Sequence, residues 1–209
     1  MSDKKIARRE VLLPAAAAAA TVLLPQHRVR AAERAAPNAP IFTGIMQIAY
    51  IVPDLQQAMQ FYAEHLGVGP WFVTESFKPI EPHYRGQPTD PDVTIGMSYS
   101  GQMNVELIQQ RDATPSVYKE LEQRSGFGFH HWGVGTRDFD RDLQRYLDRG
   151  TEVAFSMTLA SGIRLAYLDT TPHLPGMIEL IEVDDGVVSG FTGMFSAAQA
   201  WDGKTLLAN

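Results

Sequence analysis

Two stretches of this chain repeat one another at a constant offset of 84 residues, and that duplication limits the fold more than any other feature of the sequence. Gln47 to Asp54 (Gln-Ile-Ala-Tyr-Ile-Val-Pro-Asp) is a short apolar run ending in Pro-Asp, followed by a helical pattern from Leu55 to Leu66. His131 to Asp138 (His-Trp-Gly-Val-Gly-Thr-Arg-Asp) is a matching run, followed by a helical pattern from Phe139 to Asp148. Tyr62 and Tyr146 keep the same offset inside the helical patterns. A repeat of this size implies two similar units packed together, because neither buries enough apolar surface alone.

Each unit is readable from its residues. Asp54 and Asp138 stand where a helix N-cap is wanted, accepting hydrogen bonds from the first free backbone N–H groups. Ala58, Phe61, Tyr62 and Leu66 fall at helical spacing, as do Leu143, Tyr146 and Leu147. Gly67 and Gly150 then end the helices. β-type runs follow at 69–75, 93–99 and 103–108, and again at 153–158, 163–169 and 177–183, with turns near Gly101 and Gly162. The expectation is an α+β fold of two tandem βαβββ modules, over residues 42–112 and 127–185. The Pro-rich stretch 77–92 reads as a long excursion, a lid or substrate wall. Residues 112–126 read as a short connector, and 189–209 as an amphipathic helical tail.

Cysteine is absent, which excludes disulfides, thiolate metal sites and thiol catalysis. The N-terminus has a basic head (Lys4, Lys5, Arg8, Arg9) and an alanine-rich apolar run from Val11 to Leu24, too short to span a bilayer comfortably. With Arg8-Arg9 ahead of the run it resembles a twin-arginine export signal over residues 1–31, followed by a linker over 32–41. The expected destination is the periplasm or the medium. A basic tail or a mitochondrial-type presequence is the alternative. Removal of residues 1–31 takes six basic and two acidic residues, leaving twelve against twenty-two and a net charge of −10. That balance supports neither nucleic-acid binding nor membrane docking after signal cleavage.

Polar residues inside the apolar strands call for explanation. Gln47 opens the first strand of the first module and Glu106 lies in its last, Met-Asn-Val-Glu-Leu-Ile. His131 and Glu179 occupy the corresponding places in the second. If the modules pair pseudo-symmetrically, all four converge on one point. A carboxylate in an apolar strand is costly unless paired or bound to a cation. Two carboxylates, a His and a Gln make a mixed O/N set for a divalent ion: Zn, Ni, Co, Mn or Fe(II). Solvent-facing positions on half-exposed strands are the plain alternative for the two glutamates, and a non-ligand role bonding a metal-bound water is the alternative for Gln47. A one-residue slip would exchange His131 for its neighbour His130, which otherwise points away or caps the strand. His83, Tyr84, Arg164 and Tyr167 are candidates for the substrate wall.

His/Gln-x-(Gly/Ala)-x-x-Val-x-Asp at a first strand and Glu-Leu-Ile at a last strand, repeated in register, resemble the vicinal-oxygen-chelate superfamily. It holds glyoxalase I, methylmalonyl-CoA epimerase, extradiol dioxygenases and bleomycin-resistance proteins. The likeness spans about residues 43–185. It implies a cup-shaped mixed sheet around a metal site, with Gln47, Glu106, His131 and Glu179 as ligands. It also implies Glu179 as catalytic base with Glu106 as its partner. The resulting expectation is a metal-dependent lyase or isomerase acting on a small carbonyl substrate through an enolate-like intermediate. A non-catalytic, resistance-type small-molecule binder is the alternative. An extradiol-type dioxygenase is disfavoured because Gln47 stands where those enzymes carry a His. The site forms either within one chain or across a homodimer.

Overall fold

Period-two alternation along the strands and one apolar stripe per helix require a sheet with one face inward and helices on the other. A computed structural model describes Pro40 and Phe42–Ala208. The expected export signal and nearly all of the linker lie outside the described residues.

The first half runs β1 (Gly44–Ile51), α1 (Leu55–Leu66), β2 (Phe72–Phe77), β3 (Ile80–Tyr84), β4 (Gln87–Pro88), β5 (Val93–Ser100) and β6 (Met103–Gln110). After α2 (Val117–Ser125) come β7 (Gly128–Thr136), α3 (Phe139–Leu147), β8 (Val153–Thr158), β9 (Arg164–Leu168), β10 (Met177–Glu182) and α4 (Asp185–Gln199). The strands form one mixed sheet in the order β2-β5-β6-β1-β7-β10-β9-β8-β3-β4. Thr74 of β2 and Leu165 of β9 are distant in that order yet line one chamber, so the sheet curls into a half-barrel.

The duplication is written into the strand register. β1 and β7 pair antiparallel at the centre, with Gln47 opposite Gly133, Ile48 opposite Trp132 and Ala49 opposite His131. At the 84-residue offset Ile48 and Trp132 are equivalents, and the two flanking pairs exchange with one another, so a local two-fold axis passes through the Ile48–Trp132 pair. Each central strand runs parallel to the last strand of its own module: Gln47 faces Asn104 on β6, and His131 faces Met177 on β10. Each also carries a register shift. The extra residue is Met46 in β1 and His130 in β7, each directly before a candidate ligand. Such a bulge re-aims side chains locally.

Alternation then sorts the side chains. Val105 and Leu107 of β6 point outward and are buried with Leu55 and Met59 of α1. Leu180 of β10 points outward to Phe139 of α3, with Ala166 and Leu168 beside it. Ile108, Met177 and Ile181 point inward, into a core that also takes Ile95 and Phe155. One core therefore spans both modules. Asp54 accepts from the Gln57 N–H and Asp138 from the Arg141 N–H at their helix starts, and Gly67 ends α1 in the left-handed conformation at φ 64.

Three segments differ from expectation. Within 77–92 the chain forms the β3–β4 hairpin, which extends the far edge of the sheet by pairing with β8. Its two-residue turn, Arg85-Gly86, has positive φ at both positions, 49 and 78, as a tight hairpin matching the strand twist requires. The connector contains α2, capped by Ser116, whose hydroxyl oxygen accepts from the Lys119 N–H. The C-terminal helix begins at Asp185, because Asp184 caps it through the Val187 N–H, and it ends at Gln199. Beyond it Leu207 bridges back to Trp71.

Candidate metal centre

The four residues expected to converge do so within one chain. Gln47, Glu106, His131 and Glu179 are all buried, none more than 4 % exposed. His131 Nε2 lies 3.2 Å from Glu179 Oε2, 3.4 Å from Glu106 Oε2 and 3.5 Å from Gln47 Oε1. Ligands at about 2.1 Å from one ion sit roughly 3.0–3.4 Å apart, depending on the angle between them, so this spacing suits a shared cation. Glu106 Oε2 is buried and, among the described residues, has no hydrogen-bond partner.

Two relays orient the amide and the imidazole. The Ser98 carbonyl can only accept, so Asn104 turns its Nδ2 toward it at 3.1 Å and presents Oδ1 to Gln47. Gln47 must then donate Nε2 to that oxygen, at 3.0 Å, which aims its own Oε1 into the chamber. On the other side the Val117 carbonyl accepts from His130 Nε2 at 3.3 Å. His130 Nδ1 is thus an acceptor and takes the Nδ1 proton of His131 at 2.8 Å. That leaves His131 Nε2 as a bare lone pair facing the carboxylates. Burial, then the neighbouring His131, hold the His130 pKa well below the usual histidine range, so it stays neutral as the relay requires.

Gln47 and His131 therefore turn only acceptor atoms, Oε1 and Nε2, toward the two carboxyl groups. Burial, reinforced by the charge of Glu179, pushes the Glu106 carboxyl well above its ordinary range. An orphaned buried oxygen, a raised carboxyl and an O/N donor set without thiolate fit a divalent ion of the borderline or hard kind. Gly133 makes room for this arrangement, since a Cβ there would lie 2.6 Å from Gln47 Oε1.

Of the four substrate-wall candidates, only Tyr167 reaches the chamber. Its ring meets His131 edge-on at 5.0 Å, and its hydroxyl lies 3.1 Å from that of Tyr118. Burial holds both phenols above the usual tyrosine range, so they remain protonated. Arg164, three residues earlier on the same strand, faces outward to Glu182 and Asp140 and over the Phe139 ring. Tyr84 donates to Glu120 of α2. His83 sits on the edge hairpin with Nδ1 at the Glu81 carbonyl. Asn104 and Tyr118 are the members that the sequence reading leaves out, and His130, expected to point away or to cap the strand, instead bonds His131 and the Val117 carbonyl. A polar residue at two-residue spacing from Glu106 was the available signal for Asn104.

The fold and this paired site define a class of duplicated-module proteins. The model of the Glyoxalase/Bleomycin resistance protein/Dioxygenase superfamily matches residues 46–167, and the chain belongs to that superfamily. A hypothetical protein from Bacillus halodurans C-125 is similar in structure, with TM-score 0.51 and 18% identity over 67% of this chain and 94% of that one. Methylmalonyl-CoA epimerase from Mycobacterium tuberculosis is similar at TM-score 0.50 and 17% identity, over 72% of this chain and 94% of that one. Among curated proteins none matches in sequence.

Proposed function

We propose that the protein is a metal-dependent lyase or isomerase that moves a proton at the carbon beside a carbonyl of a small substrate, through an enolate-like anion. The observation that carries this reading is the cluster of four buried side chains in which one oxygen each of Gln47, Glu106 and Glu179 lies within 3.5 Å of His131 Nε2. Gln47, Glu106, His131 and Glu179 would hold a divalent ion, which when bound supplies Lewis-acid stabilisation for negative charge on two adjacent substrate oxygens.

The rest of the chemistry falls to the chain. Glu179 is the base that takes the proton. Glu106, kept high in pKa by burial, is the partner that returns it. Gln47 and His131, each fixed by its relay, would hold the cation against which the substrate's oxygens are oriented. Ile95, Met157 and Leu165 wall the chamber and exclude water, which strengthens every charge interaction inside it. On the twin-arginine-like segment alone, we place this activity outside the cytoplasm; export of a reporter fused to residues 1–31 tests that part.

The test begins with elemental mass spectrometry of the folded protein and the Glu179→Gln variant after loading with Zn, Ni, Co, Mn or Fe(II). It continues with deuterium exchange at the carbon beside the carbonyl in a panel of hydroxy-ketones and 2-oxo compounds. Metal-dependent exchange that falls about 10²-fold or more in Glu179→Gln is the expected result. Failure to take up any of these ions would sink the reading. Ligand binding that survives chelator, without exchange, would leave a non-catalytic binding protein.

A further inference from the structure

Two chambers meet at the mouth of the half-barrel. The inner one, about 110 Å³, has Gln47, Glu106 and Glu179 at its floor. The outer one, about 650 Å³, lies between β2, the β8–β9 turn and α4. Thr74, Met97, Ile163, Val187 and Phe191 line both, so the two are one passage with these residues as its neck. The outer chamber falls in the volume range of small-molecule sites, and is far larger than a chelating head group needs.

Two features set the chemistry of that passage. Gly186, Gly190 and Gly193 of α4, spaced four and three apart, lie on one helix face and line the outer chamber. Glycine is the weakest helix former after proline, yet at Gly190 and Gly193 packing does not demand it: a Cβ would meet nothing within 4 Å. The bare face keeps the passage wide. The charge is equally one-sided. Among the described residues lining either chamber there is no Lys or Arg, and the one charge outside the floor is Asp184. The partnerless Glu106 Oε2 at the inner end marks where a ligand's head belongs.

We propose that the ligand of this site carries its two-oxygen head on an uncharged apolar tail, alkyl or aryl, that lies along the glycine face of α4. The head half of this statement rests on the metal-centre reading above. A polyphosphate carrier or a carboxylated peptide would bring anions that meet no cation here and face Asp184 instead.

Hydroxamic acids test the idea, because acetohydroxamic and octanohydroxamic acid share one chelating head and differ only in the tail. Titration calorimetry on metal-loaded protein should show the octyl compound binding about tenfold or more tightly, from burial of its methylenes. An analogue ending in a carboxylate should lose that gain. In Gly190→Leu, which favours the helix and fills the passage, the ratio should fall toward one. Equal affinities in the wild type, a carboxylate-tailed analogue that binds as well, or an unchanged ratio in Gly190→Leu would overturn the proposal. Saturation-transfer NMR of 1-octanol on metal-free protein reads the tail passage by itself. A signal lost in Gly190→Leu, in a protein that takes up no metal, would keep the passage and discard the metal centre. Metal uptake without any tail effect would do the reverse.

Discussion

The Nδ1 atoms of His130 and His131 lie 2.8 Å apart, and because His130 spends its only proton on the Val117 carbonyl, His131 must donate Nδ1–H to His130 and offer Nε2 to the chamber. His130 touches no substrate position; it acts as a positioning residue for its neighbour. His130→Leu should weaken divalent-metal affinity about 10- to 100-fold, the usual cost of losing a group that orients a metal-binding histidine. Competition titration against a chromophoric chelator measures it. Circular dichroism of the same sample separates this from unfolding, and unchanged affinity in a folded variant would refute the relay.

Glu106 should make the metal-free protein sensitive to alkali. Its carboxyl is pushed above its ordinary value of 4.5 in the folded state, so the folded chain holds that proton more tightly than the unfolded chain does. The resulting stability is fully present below 4.5 and is lost as pH rises through the folded value, at up to about 1.4 kcal/mol per pH unit. In chelator, the melting temperature of the wild type should therefore fall relative to Glu106→Gln between pH 5 and pH 8. Parallel melting curves for the two proteins would show that Glu106 is not so perturbed.

Gly133→Ala should act on Gln47. The added methyl would sit 2.6 Å from Gln47 Oε1 and 2.8 Å from its Cβ, so the amide has to move off its aim. We expect about 1–3 kcal/mol of lost stability from overpacking, together with weaker metal binding. Gln47→Ala should show the weaker binding without the strain. Thermal melts and metal titration on both variants separate the two effects.

Arg164→Ala is the converse case. The side chain bridges Glu182 and Asp140 on the outer face and is 39 % exposed, so screening limits its loss to about 1 kcal/mol or less. Metal uptake and hydroxamate affinity should stay as in the wild type. A large drop in either would mean that Arg164 reaches the chamber after all.

Legibility from the sequence varied with the kind of signal. α1 was readable at both ends, because Asp54 caps it and Gly67 stops it, and Val153–Thr158 reads as a strand and forms β8. The convergence of Gln47, Glu106, His131 and Glu179 followed from the repeat, since equivalent places in paired modules must meet across their axis. The relays were hidden. Asn104 looks like any strand polar residue until β6 is set in parallel register against β1. His130 lies in a register shift, which strict alternation cannot anticipate. Arg164 and Tyr167 are three apart, so alternation alone sends one of them outward, but only the curl of the sheet decides which. The β3–β4 hairpin escaped because its turn is Arg-Gly rather than the Asn-Gly or Asp-Gly that advertises such a turn.

The two-fold axis through Ile48 and Trp132 has a consequence for how the two ends of a guest are told apart. A pair of identical subunits meeting on such an axis could offer a bound molecule only duplicate surroundings, the same on its left as on its right. Because both halves here lie on one chain, a glutamine stands on one side and a histidine on the other. Met46 likewise answers His130 across the axis. A flat, symmetric guest would thus find its two ends unlike, each meeting a different side chain at equivalent places.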